Sequence, residues 1–264
     1  MNSFNLHQPN SLGSAAALSG SSGDARFLAG GQSILASMKL GLASPDAMID
    51  LSLIPDLKSI SVSGGVVKIG AMVKHAEVAA SADVQNAIPA LADLAGGIGD
   101  RQVRNMGTIG GSLANSDPAA CYPAAALGLG ATIHTNTRSI AADAFFLGLY
   151  ETALEPNEII TAVSFPVPEK AAYVKFKNSA SRFALVGVFA SKGSQGVRVA
   201  VTGAASCAFR ATDLENALAG SWTAAACNAV KMTSDNLNSD LHASAEYRAH
   251  LIPVIAGRAV AAAK

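Results

Sequence analysis

Two glycine pairs flanked by hydroxyl side chains are where this sequence could do chemistry: Ala29-Gly30-Gly31-Gln32-Ser33 and Thr108-Ile109-Gly110-Gly111-Ser112. With no Cβ in the way, successive N–H groups can close on an oxyanion and form an anion-binding concavity. A helix starting just beyond adds a favourable dipole and free donors, so a diphosphate held this way needs no lysine. Each bond to a charged oxygen contributes about 1.5–3 kcal/mol, so about four or five would hold a dinucleotide firmly. Either pair alone reads as an ordinary turn, since glycine is a favoured turn residue. The second opens into Ala114-Asn115-Ser116-Asp117-Pro118, and the two together read as one phosphate cradle.

Other chemistries lack their residues. No G-x-G-x-x-G follows a strand; the nearest approach, Gly97 to Gln102, ends on the wrong residue and follows a helical stretch. There is no P-loop and no G-x-S-x-G elbow. Cys121, Cys207 and Cys227 are far apart, so this chain alone cannot build a four-thiolate iron–sulfur or zinc site, and they fit a reducing cytoplasm better than a disulfide framework. His7, His75, His134, His242 and His250 show no ligand spacing, so no metal is assigned to them. Nineteen acidic residues balance nineteen basic ones, without the basic excess of a nucleic-acid binder. Half of the 264 residues are apolar and 14% are charged, the balance of a folded chain with room for two or three domains. Residues 1–23 lack the basic start and apolar run of a secretory leader, and no apolar stretch is long enough to span a membrane. A soluble, cytoplasmic protein is expected.

The elements that must position the glycines follow from periodicity. Ala25 to Ala29 reads as a short strand, and Gln32 to Leu40 as a helix with Ile34, Leu35 and Met38 on one face. A second strand runs from Ala47 to Leu51, and a hairpin turns at Gly64-Gly65. Helices are expected over 74–80 and 84–94, a loop over Asp100 to Gly107, and a helix capped by Asp117 with Pro118 in its first turn. Strands follow over 131–135 and 158–167. Three more, at 173–177, 184–190 and 197–201, precede helices at about 212–219, 223–232 and 243–263, the last kinked at Pro253. Strands followed by helices mean α+β, with boundaries giving segments 1–55, 56–170 and 171–264.

These blocks resemble the flavoprotein (medium) subunit of the molybdenum hydroxylases, the family of aerobic carbon monoxide dehydrogenase and bacterial xanthine dehydrogenase. The likeness extends over Ala29 to Leu42 (AGGQSILASMKLGL), Ile69 to His75 (IGAMVKH), Ile98 to Pro118 (IGDRQVRNMGTIGGSLANSDP) and Ser181 to Val188 (SRFALVGV), in order, and covers most of the chain. It implies a two-lobed FAD-binding domain of the PCMH/vanillyl-alcohol-oxidase type, then a C-terminal antiparallel sheet with helices. Ala29, Gly30, Gly31, Gln32 and Ser33, with Thr108, Ile109, Gly110, Gly111 and Ser112, would wrap the diphosphate of FAD. Asp117 would lie near the ribose or ribityl chain, and Ile160, Lys177 and Phe183 near the flavin ring. Many relatives carry aspartate where this chain has Cys121, and a thiol cannot replace a carboxylate's acceptor capacity.

The resemblance implies an electron-transfer oxidoreductase subunit with no catalytic acid or base of its own. FAD would take electrons from [2Fe-2S] clusters in a small partner and pass them to NAD or a quinone, with molybdopterin in a large partner. The assembly would be a dimer of heterotrimers. A stand-alone FAD-dependent oxidoreductase and a flavin-free assembly subunit are the competing readings.

Overall fold

The computed structural model describes residues 2–264 and builds three layers of core around one cleft. The N-terminal lobe is a parallel sheet in the order β1-β3-β2, from β1 (Asn5–His7), β2 (Ala25–Leu28) and β3 (Ala47–Asp50). Its helix α1 (Leu12–Ser21) is capped by the Ser11 hydroxyl, which accepts from the Ser14 N–H. Neither β1 nor α1 stands out in the serine-rich sequence. Yet α1 buries Ala15 beside Ile49, Leu51 and Ile54 in a core of its own. Between β2 and β3 lies α2 (Ile34–Lys39), shorter than its apolar spacing implies because the chain stays irregular through Ser33.

The central lobe carries a five-stranded antiparallel sheet in the order β4-β5-β10-β6-β7. Its strands are β4 (Ile60–Ser63), β5 (Val66–Gly70), β6 (Thr132–Thr135), β7 (Ser139–Ala141) and β10 (Ile160–Pro166). A small ribbon, β8 (Phe146–Gly148) with β9 (Glu151–Thr152), stands beside it. The helices are α3 (His75–Ala80), α4 (Ala82–Ala87), α5 (Pro89–Gly96), α6 (Arg101–Met106), α7 (Ile109–Asn115) and α8 (Tyr122–Gly128).

Three of these differ from the periodicity-based elements, each for a local reason. The helix expected over 84–94 is two: Pro89 forces Ile88 out of helical geometry, to φ −139° and ψ 75°, and starts α5. The loop expected from Asp100 to Gly107 is α6, capped by the Asp100 carboxylate, which accepts from Val103 N–H at 2.8 Å. Asp117 does not cap a helix. It closes a turn by accepting from Ala119 N–H at 2.8 Å, and α8 begins only at Tyr122 with Pro123 in its first turn.

The C-terminal domain is an antiparallel sheet β11-β12-β13-β14 backed by helices. The strands are β11 (Lys170–Lys177), β12 (Ala184–Gly193), β13 (Gly196–Thr202) and β14 (Phe209–Arg210). The helices are α9 (Thr212–Gly220), α10 (Ala224–Ala229) and α11 (Ala245–Ala262), which runs on through Pro253. Val186, Val188, Val199 and Val201 pack with Ile252, Ile255 and Ala259 in its core. Polar bonds tie it to the central lobe: Gly203 N–H donates to the Pro118 carbonyl at 2.7 Å, and Arg198 Nε donates to the Leu127 carbonyl at 2.7 Å. The Thr202 hydroxyl lies 2.8 and 2.7 Å from the Pro118 and Ala120 carbonyls. The third domain therefore fixes the 117–121 turn that edges the cleft. Among the described residues no helix is long and apolar enough to cross a membrane.

Candidate functional site

Where the lobes meet, a cavity of about 580 Å³ opens, and both glycine pairs line it. The lobes can approach this closely because glycine stands at the seam. A Cβ on Gly30 would overlap the Met106 carbonyl oxygen and lie 2.8 Å from Gly107 Cα. Gly110 does the same within the central lobe, where a Cβ would lie 2.6 Å from Ala71 Cβ and 3.0 Å from Ala71 Cα and hold α7 off the end of β5. Gly31 has φ +70°, a left-handed conformation that side-chain-bearing residues rarely adopt.

The two pairs do different work. Among the described residues, the N–H groups of Gly30, Gly31, Gln32 and Ser33 have no protein acceptor, although the carbonyls of Gly31 and Ser33 accept from the Leu35 and Ser37 N–H groups. Unpaired main-chain donors at a cavity wall are costly without a ligand or water to receive them. In the second pair the donors are taken. Ile109 N–H donates to the Val73 carbonyl, Gly110 N–H to Ala71, Gly111 N–H to the Thr108 hydroxyl, and Ser112 N–H to the Thr108 carbonyl. A cradle of amides from both bends is therefore replaced by an asymmetric one: amides from 30–33, and close-packed backbone from 108–112. The open polar groups of the second bend are the hydroxyl of Ser112 and the N–H of Thr108.

Of the residues expected at the site, Ala29, Gly30, Gly31, Gln32, Ser33, Thr108, Gly110, Gly111, Ser112, Asp117, Ile160 and Phe183 all line the cavity. Ile109 does not: its side chain is fully buried in the central core. Lys177 also stays outside the lining and is exposed. The lysine that reaches the wall is Lys175. Strand alternation would put both on one face, but a bulge after Phe176 pairs Lys177 with Ala184 and breaks that alternation. No signal in one sequence marks that bulge.

Three further groups shape the wall. Phe183 is half exposed, on a turn organised by the Asn178 carboxamide, which accepts from the N–H groups of Ala180 and Ser181. Glu158 is spent on structure. Arg138 donates two bonds to it at 2.9 Å, Thr135, Thr137 and Glu155 N–H add three, and the Arg138 pairing holds its pKa down at about 2. His75 is nine-tenths buried against Tyr122 and Gly107, and burial, reinforced by the Arg104 charge, lowers its pKa to about 4. It is neutral at physiological pH. No group along the wall is arranged as a general base, and among the described residues no three His, Cys, Asp or Glu side chains converge as metal ligands. Anion capture by amides beside an apolar slot is the chemistry on offer.

Two family models and several known proteins match this chain. Residues 2–168 match the family model described as FAD binding domain in molybdopterin dehydrogenase, and residues 171–263 match the CO dehydrogenase flavoprotein C-terminal domain. The carbon monoxide dehydrogenase medium chain of Hydrogenophaga pseudoflava is 39% identical over 220 residues, 78% of this chain and 77% of that one. The nicotine 6-hydroxylase medium subunit of Paenarthrobacter nicotinovorans is 35% identical over 96% of this chain and 94% of its own length. Among solved structures, the Hydrogenophaga pseudoflava carbon monoxide dehydrogenase superposes with a TM-score of 0.90 at 35% identity, covering 99% of this chain and 97% of that one. Quinoline 2-oxidoreductase from Pseudomonas putida 86 gives 0.89 at 29%, over 99% and 96%.

Proposed function

The chain belongs to the FAD-binding medium subunits of the molybdenum hydroxylases, an oxidoreductase component with FAD as its cofactor, and we propose that it relays electrons from [2Fe-2S] clusters of a small partner to an external acceptor. In this reading a large partner carries molybdopterin and hydroxylates the substrate, and NAD or a quinone takes the electrons away. The four unpartnered N–H groups of Gly30 to Ser33, facing a cavity roofed by Gly30 and Gly110, carry the proposal. They fit a diphosphate, which offers charged oxygens and no donors.

FAD supplies the redox chemistry, since its ring can accept electrons singly or in pairs. The chain's own residues bind and orient it. The amides of 30–33 hold the diphosphate, with the Ser33 and Ser112 hydroxyls beside them. Asp117, fixed by its turn and by the strand end at Thr202, accepts from the sugar-like chain. Ile160 and Phe183 give the ring apolar surfaces, Ile160 from the rigid central sheet and Phe183 from the half-exposed turn. Neutral His75 closes the wall behind Gly107 without adding charge. No side chain here has to move a proton for the relay to run.

Purification through a tag on this chain from a native host tests the reading. The expected result is a complex with two visible flavin bands, about one FAD per copy of this chain, and co-purifying chains that hold molybdenum and iron–sulfur. A colourless chain refutes it. A yellow chain that oxidises an organic substrate without partners supports the stand-alone enzyme instead.

A further inference from the structure

Lys175 projects from β11 across the domain boundary to the cavity wall, where it meets the central lobe. Its Nζ donates to the Gly97 carbonyl at 2.9 Å and lies 3.5 Å from Cys121 Sγ. An ammonium has three donors, so one is left without a protein acceptor among the described residues. More telling, no carboxylate of the described residues lies within 4.0 Å of it. The other charges at the wall are paired or solvated. Arg26 is bound to Asp24 and Glu158 to Arg138, Asp117 is engaged in its turn, and Arg182 is exposed. Cys121 occupies the place beside the ammonium where a counter-ion would stand, and a thiol offers no compensating charge.

We propose that the Lys175 ammonium, left uncompensated because Cys121 is its neighbour, raises the reduction potential of the flavin bound in this cavity. The inference rests on the FAD-relay reading above. Adding two electrons, delivered by the one-electron carriers of the partner chains, together with one proton from solvent, leaves one net negative charge on the ring. The ammonium stabilises that added charge, and it does so more strongly inside a cavity than in water. Its effect on the oxidised, neutral ring is smaller, so the equilibrium moves toward reduction. A carboxylate at position 121 would pair with the ammonium and cancel this field.

The test is a spectroelectrochemical titration of the flavin in the purified complex, for the natural chain and for Lys175→Gln, Lys175→Arg and Cys121→Asp. Lys175→Gln and Cys121→Asp should each weaken reduction at least tenfold, a drop of about 30 mV for a two-electron couple. Lys175→Arg keeps the charge and should stay within about threefold, or about 15 mV. Cys121→Asp leaves the lysine bond to Gly97 in place, so it carries the test if Lys175→Gln fails to assemble. Full flavin occupancy with an unchanged potential in Cys121→Asp overturns the proposal and leaves the FAD reading standing. Lys175→Arg falling as far as Lys175→Gln overturns it too, since shape and not charge would then matter. A natural complex without flavin overturns both.

Discussion

Gly30→Ala is the smallest change that should separate the lobes at the amide cradle. The new Cβ would overlap the Met106 carbonyl oxygen, 2.6 Å from its carbon and 2.8 Å from Gly107 Cα. All three are backbone atoms that cannot rotate away. Ordinary carbon contacts are about 3.5–4.0 Å, so the 30–33 loop must retreat by about 1 Å. N–H bonds to the diphosphate would then stretch from about 2.9 to about 3.9 Å, outside bonding range. Losing about two such bonds at about 1.5–3 kcal/mol each costs about 3–6 kcal/mol, or about 10²–10⁴-fold in FAD affinity. The fold should survive, because the N-terminal core of Ala15, Ile49, Leu51 and Ile54 is untouched. Titrating FAD into the deflavinated complex, with thermal unfolding alongside, reads both quantities. Affinity within about threefold of the natural chain would refute the reasoning, since it would mean that the loop's position does not govern binding.

Other expected outcomes follow from the same geometry. Gly31→Val should abolish FAD retention, because φ +70° and the contact with Leu35 leave no room for a branched side chain; stoichiometric flavin in that variant would contradict the cradle. Gly111→Ala should cost far less, about 1 kcal/mol, since its Cβ meets only the Thr108 hydroxyl at 3.0 Å and Ala29 Cβ at 3.6 Å; a loss equal to Gly30→Ala would show that both bends supply donors. Cys121→Asp should leave FAD affinity equal or tighter even as it lowers the potential, and weaker binding would remove position 121 from the site. His75 gives a pH signature. Its pKa is about 6.5 in the unfolded chain and about 4 in the fold, so the unfolded state binds a proton first. Stability should therefore fall as pH drops from 6.5 toward 4, by up to about 3 kcal/mol. His75→Gln should flatten the melting temperature over that window, and an unchanged slope would sink this assignment.

How much of this was legible depended on whether the determining atoms lay nearby in the chain. Gly30, Gly31 and Gly110 could be read because glycine there answers a backbone need, a left-handed φ at Gly31 and a close backbone approach at Gly30 and Gly110. That the Ile109 and Gly110 N–H groups are already spent could not, since the Val73 and Ala71 carbonyls take them from a segment far back in sequence. The Lys175 side chain reaches the wall where Lys177 was expected, through a bulge fixed by pairing with β12. The α6 helix hid in a polar, glycine-bounded run and depends on one carboxylate cap at Asp100. The first helix hid among serines, and its burial of Ala15 against Ile49 is a tertiary fact. Asp117-Pro118 has the residues of a helix start. Its carboxylate, however, accepts from Ala119 N–H two residues on, closing a tight turn instead of capping a helix.

A structure of the intact complex carrying its flavin measures the central claim most directly. The pyrophosphate oxygens should accept from the N–H groups of Gly30 to Ser33, with the ring between Ile160 and Phe183. A pyrophosphate bound away from those four amides, or held instead by the main chain of 109–112, would contradict the account.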